Sequence, residues 1–187
     1  MSEGVTRRKQ PEMVRRALLD SAAKIAMEDG LPAVTIQAVA KAANVTKGGL
    51  FHHFASKQAL IEGMYKDILT RLDEKIDARM AKEDTAKGCF TRAYVATIFQ
   101  DDELGFDGPL AAMWIGASAD PVLRQIWLDW LNARLDRHRD TDNAPLLEVV
   151  RLAADGAWFS YAGLETAGQA EVRETLYARL VAMMDET

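Results

Sequence analysis

The stretch at residues 35–60 constrains the fold of this chain most strongly, and it reads TIQAVAKAANVTKGGLFHHFASKQAL. Thr35 and Thr46 each stand where a hydroxyl caps the free N–H groups of a helix. Between them, Asn44 tolerates the left-handed backbone that a sharp helix exit requires. The apolar positions of the first segment repeat at the i, i+3, i+4 spacing of a buried helical face: Ile36, Val39 and Ala40. The stretch therefore predicts two short helices joined by a tight turn.

The second short helix carries two adjacent glycines, Gly48 and Gly49. Each costs about 1 kcal/mol relative to alanine inside a helix, which argues against a purely structural element and favours a surface that approaches something large. Leu50 and Phe54, four residues apart, predict its buried face. Two short helices around a turn are typical of a helix-turn-helix, whose second helix enters the DNA major groove. An ordinary helical hairpin is the alternative at this point.

The segment from Val45 to Leu60 also resembles the signature of the TetR/AcrR family of bacterial transcriptional regulators, roughly Val-Ser/Thr-Lys-Gly-Thr-Leu-Tyr-His-Tyr-Phe-x-Ser-Lys-Glu-x-Leu. Three positions depart from it: Gly49 replaces a residue with a side chain, Phe51 replaces tyrosine and loses its hydroxyl, and His53 stands where tyrosine is commonest. The resemblance covers roughly residues 11–60. The matching positions are Val45, Thr46, Lys47, Gly48, Leu50, His52, Phe54, Ser56, Lys57 and Leu60.

The resemblance implies that both helices of the motif contact DNA. Thr46, Lys47 and Lys57 are expected at phosphates or base edges, and His52 as a donor to either. The complete predicted set is Thr35, Gln37, Thr46, Lys47, Gly48, Gly49, Phe51, His52 and Lys57.

Charge is distributed unevenly along the chain. Residues 1–60 hold nine lysines and arginines against five acidic residues, a formal charge of +4, although the whole chain carries −5. A basic head on an acidic body fits a phosphate-binding module attached to a part that does not bind phosphate. The single cysteine, Cys89, rules out an intrachain disulfide and fits a reducing cytoplasm. No signal peptide or membrane span is predicted, so a cytoplasmic location is expected.

Apolar residues after residue 60 repeat at helical spacing, and no stretch shows the sustained alternation of apolar and polar residues that is typical of a strand. We predict an all-α chain of about nine helices, with a three-helix DNA-binding domain at 1–55 and a helical effector-binding and dimerisation domain at 56–187. Residues 1–10 are interpreted as a flexible basic arm, and Pro11 as the start of the first helix. A long helix is expected from Ser56 into the mid-eighties.

Two sites in the body are implied by the resemblance. A small, partly apolar effector is expected in a cavity near Tyr94, Met113, Trp114 and Trp130, although aromatic residues at helical spacing are usually core. The last two helices are expected to pair with a second copy as a four-helix bundle; the alternative is that they only close the monomer core. The predicted interface residues are Leu152, Gly156, Phe159, Leu176 and Leu180.

The leading interpretation is a ligand-responsive repressor that binds a pseudo-palindromic double-stranded operator as a homodimer and is released by an effector that shifts the dimer between states. The sequence leaves the operator, the effector, repression or activation, and one or two dimers per operator undetermined. An enzyme is not expected, because zinc-ligand spacing, a nucleophile elbow and a phosphate-cradling glycine loop are all missing; no cofactor or metal is predicted. A helical adaptor that binds proteins through its Trp-rich body is the other alternative.

Overall fold

A computed structural model describes residues 3–83, 85–106, 119–161 and 169–186, and helices are the regular elements of these ranges. Nine α-helices and no strand occur in them, which confirms the all-α prediction. A 3₁₀ turn, Leu31–Ala33, separates the first two helices. The helices are α1 Glu3–Asp29, α2 Ile36–Ala42, α3 Lys47–His53, α4 Lys57–Met80, α5 Cys89–Gln100, α6 Pro121–Arg137, α7 Arg139–Asp142, α8 Pro145–Tyr161 and α9 Gln169–Asp185.

The chain forms two compact units, which divide after Ile68. The first unit, the head, contains α1 to α3 and the first half of α4. The second unit, the body, begins at Leu69 and contains the rest. α4 ends at Met80, a few residues short of the predicted mid-eighties.

The head is built on a buried stripe of α1. Leu18, Ala22 and Ala26 are completely buried at helical spacing. The predicted start of this helix at Pro11 is wrong, because α1 begins at Glu3 and contains the proline within it. The arginines, lysine and glutamine before Pro11 are good helix formers, so the helix extends over most of the predicted arm.

The body is organised around α5, whose apolar face includes the buried Phe90, Tyr94 and Ile98. Its N-cap is Gly88, which provides no side-chain cap. Asp142, on α7, caps it instead: the buried carboxylate accepts from the backbone N–H of Thr91 at 2.7 Å and of Phe90 at 3.3 Å. A residue distant in sequence therefore supplies the acceptor that the first turn of α5 needs.

Candidate DNA-binding surface and body sites

Three hydroxyl caps define the helix-turn-helix. The Oγ1 of Thr35 accepts from Ala38 N–H at 3.1 Å, and the Oγ1 of Thr46 from Gly49 N–H at 3.0 Å. Ser56 caps α4 in the same way, accepting from Ala59 N–H at 3.0 Å. Asn44 has a φ of 54°, the left-handed conformation predicted for the turn. Each of these caps satisfies a donor that helix geometry leaves free.

Packing of Phe54 against α4 sets the orientation of α3 within the head. Phe54 and Leu50 are buried, as predicted. A Cβ added at Gly63 would lie 2.7 Å from Phe54 Cε1, so only glycine permits this approach. The guanidinium of Arg15 lies over the same ring, 5.2 Å from its centre. The sequence analysis missed Gly63, because its role depends on a ring nine positions earlier.

The outer side of α3 is open. Lys47, Gly48 and His52 are exposed, Gly49 is half-buried, and half of the Phe51 side chain is accessible although it is a large apolar residue. A Cβ at Gly48 would meet only the Thr46 hydroxyl, at 4.0 Å. The outer side therefore combines one cation, an imidazole, an aromatic ring and a stretch of bare backbone, which suits close approach to a polyanion.

The remaining predicted DNA-contact residues flank this surface. Thr35 and Gln37 are exposed at the start of α2. Lys57 is exposed at the start of α4, and its Nζ lies 3.5 Å from the carbonyl oxygen of Pro32. We call the set of Lys47, Gly48, Phe51 and His52 the α3 surface.

The two described members of the predicted effector site lie together in the body. The ring of Tyr94, which is fully buried, lies 6.4 Å from that of the half-buried Trp130. The indole N–H of Trp130 donates to Asp73 of α4 at 2.8 Å. Met113 and Trp114 lie outside the described residues.

Sequence reasoning missed a carboxylate beside these rings. The hydroxyl of Tyr94 donates a hydrogen bond to Oδ1 of Asp155 on α8. Burial raises the pKa of Asp155 to about 6, although the Tyr94 hydrogen bond and the charge of Arg151 act in the opposite direction. No short-range motif marks Asp155, because its surroundings depend on the packing of α5 against α8.

A separate cleft of about 410 Å³ lies between the end of α5 and α9. Its aromatic walls are Phe99, Phe106 and Tyr177, and the guanidinium of Arg173 lies 5.1 Å from the centre of the Phe106 ring. Glu174 also lines it. This cleft does not include Tyr94 or Trp130, so it is distinct from the predicted effector site.

An apolar face of α8 is open in the single chain. Leu152 and Phe159 are 63% and 59% exposed, and Val149 is 51% exposed on the same side. Among the described residues, no atom lies within 4 Å of a Cβ built on Gly156, which is on the same side. We call Val149, Leu152, Gly156 and Phe159 the α8 face.

Two predicted interface residues lie on α9, and they differ in exposure. Leu176 is half-buried, and Val172, one turn earlier, is 46% exposed. Leu180 is 2% exposed and packs inside the body, so it does not extend the open surface.

The described ranges were also compared with three other kinds of site: a metal site, a membrane-spanning helix and a Trp-rich protein-binding face. No cluster of three or more histidine, cysteine or acidic side chains there is arranged to hold a metal ion. No described helix combines the length and apolar character needed to cross a membrane. Trp127 and Trp158 are buried, so neither presents the surface that an adaptor with a Trp-rich binding face needs.

A capped helix-turn-helix with an open second helix, followed by a helical body, defines the class of DNA-binding transcriptional regulators. Two family models match the chain: that of the tetR family of bacterial regulatory proteins over residues 18–64, and that of the tetracyclin repressor-like C-terminal domain over residues 88–185. The chain belongs to the TetR family of bacterial transcriptional regulators. Both family models describe regulatory proteins, and neither describes an enzyme.

Individual relatives agree with this family. The chain is 29% identical over 119 residues to the HTH-type transcriptional regulator BetI of Burkholderia mallei; the match covers 62% of this chain and 60% of BetI, less than two thirds of its length. It is 25% identical over 158 residues to the HTH-type transcriptional repressor KstR2 of Mycobacterium tuberculosis, 78% of each chain. The crystal structure of SCO4454, a TetR-family regulator of Streptomyces coelicolor, superposes with a TM-score of 0.71 at 21% identity, covering 100% of this chain and 96% of SCO4454.

Proposed function

We propose that this chain is a ligand-responsive repressor that binds a pseudo-palindromic operator as a homodimer and is released by a small-molecule effector. The α3 surface carries this proposal: a short, capped helix whose outer side is exposed and includes bare backbone at Gly48. A seven-residue helix reads few base pairs, so two copies arranged about a two-fold axis are needed to recognise a full operator. The domains proposed are a DNA-binding domain at 1–55 and an effector-binding and dimerisation domain at 56–187.

Individual contacts follow from the position of each side chain. Lys47 and Lys57 neutralise phosphates, and His52 donates to a phosphate or base edge. Phe51 makes an apolar contact, since it lacks the hydroxyl that a tyrosine would offer. Gly48, with Gly49 next to it, lets the backbone approach the groove. Thr35 and Thr46 already use their hydroxyl oxygens as cap acceptors, so their hydroxyl hydrogens remain for phosphate oxygens; Gln37 contacts the backbone from α2.

Dimerisation through α8 and α9 is supported by the α8 face. Three large apolar side chains exposed along one helix are unusual for a monomer and typical of an association surface. Open space beside Gly156 permits close approach of another helix. Leu176 and Val172 continue the surface on α9, whereas Leu180 does not belong to it.

Effector control is supported by the ring pair Tyr94 and Trp130 inside the body, and by the name of one relative. The solved structure of KstR2 is described as that of a ketosteroid transcriptional regulator; it superposes with a TM-score of 0.61 at 21% identity, covering 92% of this chain and 93% of KstR2. An effector that binds one state of the dimer more tightly lowers DNA affinity by that difference. The proposed site includes Tyr94 and Trp130, with Met113 and Trp114 as further members; the proposed location is the cytoplasm.

The α3 surface can be tested by salt dependence. Lys47→Ala is expected to weaken binding to specific and non-specific DNA alike and to lower the slope of log K against log[salt] by about one unit per subunit. Lys24→Ala is a matched control, because Lys24 is an exposed lysine of α1 that lies 3.9 Å from Glu28. Fluorescence anisotropy between 50 and ~300 mM salt measures both slopes. An unchanged slope for Lys47→Ala, or an equal change for Lys24→Ala, would remove Lys47 from the phosphate contacts.

A further inference from the structure

Four buried or half-buried acidic groups of the described residues are matched by a cation or by backbone donors. Asp142 accepts from two backbone N–H groups and the Thr91 hydroxyl. The ion pairs of the other acids are Asp67 with Arg16 at 2.6 Å, Asp73 with Arg134 at 3.2 Å and Asp101 with Lys75 at 3.2 Å. Such pairing is what a charge in a low-dielectric interior requires.

Asp155, which is also half-buried, has neither kind of partner among the described residues. Its hydrogen-bond partner is the Tyr94 hydroxyl, a neutral donor, and it forms no ion pair. The nearest cation on its own helix, Arg151, is directed elsewhere: its NH1 donates to the Thr91 hydroxyl at 2.6 Å and to the Asp142 carbonyl oxygen at 3.3 Å. The Asp155 carboxylate therefore lies in the body without an ion-pair partner, although Arg151 is one helical turn away on α8.

Tyr94, the hydrogen-bond partner of Asp155, belongs to a group of neighbouring aromatic rings. Tyr94 lies 5.8 Å from Phe90 and 6.4 Å from Trp130, measured between ring centres, and Trp130 lies 5.0 Å from Trp127. Aromatic faces attract cations through their quadrupole, most strongly where water is excluded. A carboxylate that contacts one ring of such a group is therefore complementary to an organic cation and unfavourable for an anion.

We propose that Asp155 recognises the charge of the effector, and that this effector is an organic cation, an amine or a quaternary ammonium, whose charge lies at the Asp155 carboxylate against the Tyr94 and Trp130 rings. The inference rests on the proposed function, since it assigns a chemical class to the effector of that same site. The cation supplies the counter-charge that Asp155 lacks. The raised pKa of the carboxyl fits this role, because perturbed acids are common where a ligand completes the electrostatics of a site.

If the Asp155 carboxylate binds the cation, the affinity for the cation should depend on pH. A carboxylate that only holds Tyr94 in place would not produce this dependence. A cation binds the ionised carboxylate, and with a pKa of about 6 only about one-tenth of the carboxyl is ionised at pH 5. Affinity for a cation should therefore fall about tenfold between pH 7.5 and pH 5.0. The groups facing Asp155 are Tyr94 from α5 and Arg151 from α8. Tyrosine and arginine titrate far above this interval, so the carboxyl alone accounts for the change.

The test uses full-length protein and three cations of increasing size: tetramethylammonium, benzyltrimethylammonium and tetraphenylphosphonium. Benzyl alcohol and phenylacetate are the neutral and anionic comparators. Titration calorimetry at pH 7.5 and 5.0 compares wild type with two variants. Asp155→Asn keeps an acceptor for Tyr94 and removes the charge. Glu174→Gln, the control, removes a carboxylate from the separate cleft between α5 and α9. At pH 7.5 we expect at least one cation to bind wild type and Glu174→Gln with equal affinity. The same cation should bind both proteins about tenfold more weakly at pH 5.0 than at pH 7.5. At pH 7.5 it should bind Asp155→Asn at least tenfold more weakly than wild type.

Several results would overturn the assignment. The assignment is wrong if wild type and Asp155→Asn bind the cation equally. It is also wrong if Glu174→Gln loses cation binding instead, or if wild type binds none of the three cations. A dimer weakened in Asp155→Asn with cation binding unchanged would instead assign the missing counter-charge to a second copy, because Asp155 lies on α8 next to the exposed Leu152 and Phe159. DNA binding measured on the same samples separates the two proposals: wild type that binds DNA but no cation rejects only the effector class, whereas wild type that binds no DNA rejects the proposed function.

Discussion

Removing the charge of Asp155 should make the protein more stable at neutral pH. The carboxylate is largely buried beside a neutral hydroxyl, and its pKa rises from 3.8 to about 6. A difference of about two pKa units corresponds to about 3 kcal/mol. Asp155→Asn should therefore raise the free energy of unfolding at pH 7 by up to about 3 kcal/mol, or roughly 6–10 °C in Tm for a chain of this size.

The sign of the pH dependence follows from linkage. Between pH 3.8 and pH 6 the native carboxyl binds a proton more tightly than the unfolded one, so its contribution to stability grows as the pH falls through this window and is lost as the pH rises through 6. The wild-type carboxyl gains about 1 kcal/mol between pH 7 and pH 5 on this account. The advantage of Asp155→Asn should shrink by that amount at pH 5.

Urea unfolding followed by circular dichroism at pH 7 and pH 5 measures both effects. Asp102→Asn, which changes an exposed carboxylate of the same chain, is the matched control and should be close to neutral at both values. A less stable Asp155→Asn at pH 7, or an advantage that does not depend on pH, would refute the reasoning. Either result would mean that solvent or an unrecognised charge already compensates the carboxylate.

Four further substitutions test the packing and the proposed dimer surface. Gly63→Ala should lower the free energy of unfolding by about 1–3 kcal/mol, because its Cβ would lie 2.7 Å from Phe54 Cε1. Gly156→Ala, which adds a Cβ in open space, should be neutral or stabilising in the monomer. Equal losses of stability in both variants would contradict the packing of Phe54 against Gly63. Asp142→Ala should cost about 2–4 kcal/mol in urea unfolding, since it removes the cap of α5 and leaves buried donors unpaired; a loss below about 0.5 kcal/mol would contradict it. Leu152→Arg should dissociate the dimer in light scattering with little effect on monomer stability, because the side chain is 63% exposed in the single chain; an intact dimer would exclude the α8 face.

Local features of the sequence were sufficient for the helix-turn-helix. Thr35, Thr46 and Ser56 cap helices with donors three residues away, and Asn44 takes its left-handed conformation within the same turn. Interactions of this range are determined by neighbouring residues, so pattern and propensity predict them. The same holds for the buried stripe of α1, whose members repeat every three or four positions.

Features that depend on distant packing were not predictable in this way. Asp142 caps a helix that begins 53 positions earlier, at Cys89. Asp155 looks like a surface acid in sequence, and only the contact with Tyr94 reveals its burial. The start of α1 was misjudged for a different reason: Pro11 is a common first-turn residue, yet here the helix passes through it.

The most direct test of the account is size-exclusion chromatography with light scattering, performed alone and with DNA fragments flanking the protein's own gene at physiological salt. The chain has a mass of 20.7 kDa, so the account predicts a particle of about 41 kDa (twice 20.7 kDa) that shifts with one fragment and not with scrambled DNA of equal length. A monomer that ignores all such fragments would contradict the dimeric repressor.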